Sequence, residues 1–354
     1  MGRKLHVELQ ENSYDIFIEK GILSLLGEKI KSIYNGGKIF VITDRNVNKH
    51  YGDKLKDSLE KAGFVTKFMV LEPGEETKSF NTLPRIYNEL LDFKITRKDL
   101  ILTFGGGVIG DLGGFAASSF LRGVPFIQVP TSILAQVDSS VGGKVAVDLE
   151  RGKNLVGSFY QPKAVYIDSE VLNTLSDKFY RDGMAEVIKY GCIKDREFFY
   201  KLKSLKNRAQ VMDNIEDIIY NCCLIKKTIV EIDEKDLGER MLLNFGHTLG
   251  HAVEKYYNFT GYSHGEAVAI GMYNITLKSE NEGLTKKGVA EEIKDILINY
   301  GLPYEVEIGN NESIVDTIAL DKKNMGKILK IILIKDIGKS IIYDTTPEFF
   351  KAVK

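Results

Sequence analysis

Three of the chain's 5 histidines fall in one stretch, LNFGHTLGHAVEKYYNFTGYSHGEAV, residues 243–268. His247 and His251 are four apart, so on a helix they project from one face, with Glu254 a turn further along. Imidazoles so placed suit a metal ion or a proton relay. HTLGH is not a zinc-protease signature, because Thr248 stands where HExxH places its general base. Past the turn-forming NFTGY, Ser263 and Glu266 make an S-x-x-E capping box, which puts His264 in the first turn of a new helix. Upstream, RDGMAEVIKYG (181–191) sets Glu186 and Lys189 three apart on one helical face. On a surface helix that is an ordinary ion pair. Its neighbours Met184, Ala185, Val187 and Ile188 bury this helix instead, and a buried carboxylate needs a partner. Glu186, His264 and one of the two other histidines would form the three-ligand open site of a catalytic zinc. Spacing alone does not choose between His247 and His251.

A second kind of chemistry is written in DLILTFGGGVIGDLGGFAA. Gly105, Gly107 and Gly110 satisfy G-x-G-x-x-G directly after a strand pattern and before a helical one, so bare amides at a helix N-terminus can approach a pyrophosphate. The motif departs from the usual fingerprint. It sits in the third βα unit, and no acidic residue ends a strand about 20 residues on. Asp44, at the tip of the first clear strand, is the alternative contact for cofactor hydroxyls. The next stretch, VDSSVGGKVAVDLERGKN (137–154), fails as a P-loop. Asp138 replaces the first glycine, and Val145 stands where Ser or Thr would hold magnesium. What remains is a glycine pair presenting Lys144, with Arg151 and Lys153 behind it, a set of cations suited to a phosphorylated or carboxylated substrate.

The elements that must position these groups divide into two halves. KIFVITD (38–44), VTKFMVL (65–71), DLILTFGGG (99–107) and PFIQVPTS (125–132) read as strands. YGDKLKDSLEKAG and NTLPRIYNELLDF read as helices between them, so βαβ units and a parallel sheet are expected. The N-terminal MGRKLHVELQENSYDIFIEKG alternates as a strand pair. From about 176 the text is mainly helical, apart from a hairpin in KILKIILIKDIGKSIIYD (327–344). The expected architecture is an α/β, Rossmann-like dinucleotide-binding domain over 1–175 and a mainly α-helical metal- and substrate-binding domain over 176–354. No repeat or low-complexity linker separates them, so tight packing and an active site in the interdomain cleft are expected.

Composition bounds the setting. A formal net charge of -1 and the lack of a basic run give no reason to expect nucleic acid. No apolar stretch approaches the ~18 residues of a membrane helix, and the N-terminus lacks a signal peptide's apolar core. The 3 cysteines, Cys192, Cys222 and Cys223, read as reduced core thiols. A soluble cytoplasmic protein is expected.

Taken together, GGGVIGDLGGFAAS, FLRGVPFIQVPTSILAQVDSSVGGKVAVD, GKNLVGSFYQP, GMAEVIKYG, LNFGHTLGHAVE and HGEAVAIGM resemble the 3-dehydroquinate synthases, from KIFVITD to the DKKN at 321–324. That resemblance implies conversion of 3-deoxy-D-arabino-heptulosonate 7-phosphate, a phosphorylated sugar acid, into 3-dehydroquinate and phosphate, with NAD, one divalent metal (zinc, or cobalt) and a homodimer. It implies Glu186, His247 and His264 as metal ligands, with His251 left to the substrate. It implies Asp44, Glu75, Lys78, Gly106, Gly107, Val108, Asp111, Thr131, Ser132 and Thr174 around NAD, with Lys144 and Lys153 reaching it too. Lys144, Lys153, Asn154, Lys189, Lys226, Arg240, Asn244, His251 and Lys322 would surround the substrate, Asp138 would lie near its reacting hydroxyls, and Arg122 would reach the partner's site. Phe179 and Asp236 depart from the family pattern, where an acid and a longer Glu are common.

The implied chemistry explains the cations. A transient oxidation makes a neighbouring proton acidic enough for phosphate to leave. The hydride then returns, and an aldol closure forms the ring. Fixing both anionic ends of the substrate reduces the entropic cost of each step, and the substrate's own phosphate can take the proton. Other sugar-phosphate cyclases and glycerol-type metal-dependent NAD dehydrogenases are the competing expectations.

Overall fold

The computed structural model describes residues 2–258, 260–306 and 329–350. Lys322 lies outside them. The chain forms two compact units, Met1–Ser176 with Glu216–Lys235, and Asp177–Ile215 with Asp236–Lys354.

The first unit is built on a seven-stranded sheet in the order β1-β2-β9-β6-β5-β3-β4. Its strands are β1 (Arg3–Val7), β2 (Tyr14–Ile18), β3 (Lys38–Asp44), β4 (Val65–Leu71), β5 (Leu100–Gly105), β6 (Phe126–Pro130) and β9 (Ala164–Ile167). β1 and β2 pair antiparallel, and every other neighbour pair is parallel. Central strands of such a sheet are covered on both faces, which is why KIFVITD and LILTFG are continuous apolar runs rather than alternating ones. One face packs on α1 (Leu26–Lys31) and, beyond the short α2 (Arg45–Val47), on α3 (Asp53–Lys61), through Leu26, Ile30, Leu55 and Leu59. The other packs on α4 (Leu83–Asp92) and α5 (Gly107–Ser119), through Leu83, Ile86, Leu90, Leu112 and Ala116.

The strand order has a functional consequence. From β3 the chain winds outward to β4, then returns to lay β5 on the other side of β3 and β6 beyond it. The direction of winding reverses between β3 and β5, and ligands of open α/β sheets bind outside the carboxyl ends of the strands at that reversal. Asp44 ends β3 and Gly105 ends β5. A glycine motif in the third βα unit is therefore where the topology requires it.

Residues 137–154 are not only a loop. β7 (Lys144–Leu149) and β8 (Gly152–Phe159) form a separate antiparallel ribbon. Gly142 and Gly143, both at positive φ, turn the chain into it. Val145 and Val147 are buried while Lys144 is exposed, a period-two pattern too short to stand out beside the glycines.

The second unit is mainly helical. α6 (Asp177–Lys194) is buried on nearly every side and is followed by α7 (Arg196–Ser204) and α8 (Arg208–Asp213). α9 (Ile215–Ile232) belongs almost wholly to the first unit, where Cys223 Sγ lies 3.3 Å from the Gln136 carbonyl. The second unit resumes with α10 (His247–Tyr256), α11 (His264–Asn281), α12 (Val289–Asn299) and the hairpin β10 (Leu329–Asp336) and β11 (Lys339–Thr345). That hairpin meets the end of α6 through Gly338 N to Cys192 O at 2.8 Å and Ser340 Oγ to Ile193 O at 3.0 Å. All three cysteines are buried and unbridged. Among the described residues no helix is long and apolar enough to cross a membrane.

Candidate metal centre and dinucleotide crevice

Three helices of the second unit bring Glu186, His247 and His264 together. α6 supplies Glu186, one side-chain turn after Asp182. Asp182 accepts the Ser263 hydroxyl and, at 3.1 Å, the Gly265 amide. The capping box of Ser263 and Glu266 forms as the sequence suggests, so His264 opens α11 in a fixed direction. α10 begins at His247 after Gly246, whose left-handed φ of 81° lets the chain turn into the helix. The two helices cross in close contact: a Cβ on Gly271 would lie 2.0 Å from the Gly246 carbonyl oxygen.

The donor atoms of the three residues all lie within 4.8 Å of one another. His247 Nε2 and His264 Nε2 stand 3.4 and 3.5 Å from Glu186 Oε1. Glu186 is 1% exposed, and this oxygen accepts no hydrogen bond among the described residues. Its other oxygen takes the Lys189 ammonium. A buried carboxylate oxygen left without a donor, facing two imidazole nitrogens, fits a divalent cation. His247 Nδ1 lies 3.2 Å from the Phe245 carbonyl. A carbonyl only accepts, so Nδ1 carries the proton and Nε2 keeps its lone pair for a metal.

The electrostatics agree. Burial pushes the His247 imidazole down to about 3, with Lys189 and His264 adding to the effect against Glu186. Burial also opposes charge on His264, yet the Glu186 and Glu254 carboxylates outweigh it and raise the group to about 10. Burial raises Glu186, and Lys189 and the two histidines overcome this to hold it well below the carboxylate range. Without metal, a proton on His264 helps balance Glu186. A divalent ion would take over that role.

Around this cluster the unit places Lys189 and Arg240 in buried positions, and Asn244 and His251 in exposed ones. His251 Nδ1 lies 2.7 Å from Glu254 Oε2. Of the two residues that depart from the family pattern, Phe179 is exposed and Asp236 has a positive φ. Sequence reasoning gave no role to Asp182 or Glu254. Their signals were a spacing of four before Glu186 and of three after His251.

In the first unit, Gly106 precedes α5 with no side-chain cap. The amides of Gly107, Val108 and Ile109 therefore have no intrahelical acceptor and point at the crevice where the winding reverses. Gly107 has little room for a side chain, since a Cβ there would lie 3.2 Å from Ser139 Oγ. Asp44 Oδ1 accepts the amides of Asn46 and Val47 at 2.8 and 3.0 Å, fixing the first turn after β3. Thr131 is buried just past β6, with its amide on the Gly105 carbonyl at 3.0 Å. Ser132 Oγ accepts the Ala135 amide at 3.3 Å, and Thr174 Oγ1 meets Tyr51 OH at 3.0 Å.

Lys78 is buried among Glu75, Asp111 and Asp148, at 3.1, 3.3 and 3.8 Å, and donates to Asn154 Oδ1 at 2.7 Å. Asp148 in turn accepts the Asn154 amide at 2.7 Å. The network ties the glycine helix to the β7–β8 ribbon. Burial raises the Asp111 carboxyl to about 6 against the pull of Lys78. The ribbon leaves Lys144, Lys153 and Asn154 exposed. Lys226 on α9 meets Asp138 Oδ1 at 3.0 Å, so two residues far apart in sequence share a place. Arg122 is exposed on a corner where it and Leu121 have φ of 67° and 51°.

Comparison with known proteins identifies the family. Residues 68–182 match the family model described as 3-dehydroquinate synthase N-terminal, and residues 183–324 match 3-dehydroquinate synthase C-terminal. The 3-dehydroquinate synthase of Clostridium botulinum (strain Alaska E43 / Type E3) is 67% identical, over 99% of this chain and 100% of that protein. That of Enterococcus faecalis (strain ATCC 47077 / OG1RF) is 42% identical, over 99% of this chain and 98% of its own length. Among solved structures, a 2-deoxy-scyllo-inosose synthase complexed with carbaglucose-6-phosphate, NAD+ and Co2+ shares the fold at a TM-score of 0.88 and 24% identity, covering 99% of each chain. A probable glycerol dehydrogenase from Sinorhizobium meliloti 1021 is more distant, at 0.64 and 15%, covering 96% of this chain and 94% of that one. With both halves matched and the identity running end to end, the chain belongs to the 3-dehydroquinate synthase family.

Proposed function

We propose that the chain is a lyase of the shikimate pathway, converting 3-deoxy-D-arabino-heptulosonate 7-phosphate into 3-dehydroquinate and phosphate. Full-length identity to 3-dehydroquinate synthases carries the reading. The Glu186, His247 and His264 cluster and the crevice outside β3 and β5 support it chemically. When bound, NAD supplies a reversible hydride acceptor, and the metal, zinc or cobalt, supplies Lewis-acid polarisation of substrate oxygens.

The chain's own residues do the rest. Amides at Gly106, Gly107 and Val108 would hold the NAD pyrophosphate, with Asp44, Thr131, Ser132 and Thr174 proposed to line the rest of its place. Glu75, Lys78 and Asp111 hold its loops in place. Lys144, Lys153, Asn154 and Lys226 of the first unit, and Arg240 and Asn244 of the second, are the groups proposed to take the substrate's anionic ends; Lys322, proposed with them, lies outside the described residues. Asp138, held by Lys226, faces the hydroxyls. Lys189 steadies the Glu186 charge, and His251 contacts substrate. Holding one pose through consecutive steps is the main catalytic contribution such groups make.

The same reading makes the enzyme a cytoplasmic homodimer in which Arg122 reaches the partner's site. Two successive non-glycine residues at positive φ, Leu121 and Arg122, support a positioned role, because such a corner costs conformational energy.

The test is phosphate release by purified protein with NAD and zinc. The expected result is rapid release from the heptulosonate phosphate, none from glucose 6-phosphate and no NADH from glycerol. Release from the hexose phosphate alone would make it a different cyclase. NADH from glycerol without phosphate release would make it a dehydrogenase.

A further inference from the structure

Glu254 lies on α10, three residues after His251, and is 3% exposed. Its Oε2 stands 2.7 Å from His251 Nδ1 and 3.5 Å from His264 Nδ1. Facing two imidazole nitrogens, a carboxylate oxygen is the acceptor. Both rings must then carry a proton on Nδ1, which leaves each with Nε2 as its working nitrogen. For His264, Nε2 is the atom 3.5 Å from Glu186.

We infer that Glu254 is a positioning residue for both parts of the site. One carboxylate oxygen fixes the Nδ1–H form of two imidazoles, committing His264 to metal through Nε2 and aiming Nε2 of His251 at substrate. The inference rests on the metal assignment proposed above and extends it to a residue that joins the metal shell to the substrate shell. It also decides between two donor sets. His251, Glu254 and His264 likewise bring ligand atoms within 4.8 Å of one another. In that set, however, the Glu254 oxygen already accepts from His251 at 2.7 Å, whereas Glu186 Oε1 accepts from nothing among the described residues. The Glu254 set is thus an orienting group and the Glu186 set a binding one. Outer carboxylate partners of metal-bound histidines are worth about 10–100-fold in metal affinity.

The experiment uses zinc-loaded protein labelled with 15N-histidine, together with zinc affinities of wild type, Glu254→Gln and His247→Ala. The expected wild-type spectrum shows His251 and His264 protonated on Nδ1, with His264 coordinated through Nε2. Glu254→Gln should bind zinc about 10–100-fold more weakly and lose the hydrogen-bonded Nδ1 proton of His251. A purely structural role would lower stability without changing that pattern. Coordination of zinc by His264 Nδ1, or an Nε2–H on His251, would overturn the inference in the wild type alone. So would folded Glu254→Gln with unchanged zinc affinity. Stoichiometric zinc in His247→Ala would instead overturn the metal assignment on which the inference rests.

Discussion

His247 and His251 are indistinguishable by spacing, and their surroundings separate them. His247 has its Nδ1 on the Phe245 carbonyl and its Nε2 toward Glu186, while His251 is exposed and turned to Glu254. His247→Ala should therefore leave a folded protein that no longer retains stoichiometric zinc. His251→Ala should keep the metal and lose turnover, and metal analysis after gel filtration reads both. The opposite pattern would exchange the two roles. At this scale the sequence shows which residue types could bind a metal, and the S-x-x-E box correctly places His264 at a helix start. It does not show Asp182 holding the start of α11, because that contact joins residues 182 and 263 from separate helices. Spacing says which groups share a face. Only tertiary packing says which nitrogen of a ring is in use.

At the scale of elements, the metal site depends on how closely α10 and α11 approach. Gly271 faces the Gly246 carbonyl, and a Cβ there would come within 2.0 Å of its oxygen and 3.1 Å of the Gly250 nitrogen. Backbone cannot yield as a flexible side chain can, so Gly271→Ala must separate the helices that carry His247 and His264. Overpacking of this kind costs about 1–3 kcal/mol. Gly271→Ala should lower the unfolding midpoint and weaken zinc binding together. Unchanged zinc affinity would show that helix approach does not set the ligand geometry. Strands were the more legible elements. KIFVITD appears as β3 because a central parallel strand, buried on both faces, is a long apolar run, while VTKFMVL forms β4 at the sheet edge and is only partly buried. The β7–β8 ribbon was hidden, since its pattern is short and its glycines resemble a phosphate loop.

At the scale of the whole molecule, the parallel sheet and the helical half were expected from alternating and then helical patterning. The return of residues 216–235 to the first unit was not, because one amphipathic helix does not state which core it joins. That return brings Lys226 to Asp138. The winding reversal between β3 and β5 likewise emerges only once strand order is known. In the proposed reaction, hydride leaves the substrate and returns to the same molecule while its anionic groups stay bound. The most direct test follows phosphate and NADH together, with heptulosonate phosphate in large excess over NAD. Phosphate release should run to completion with no net NADH at the end, and a single turnover should show a brief NADH transient. Steady NADH accumulation equal to the product formed would contradict that reaction.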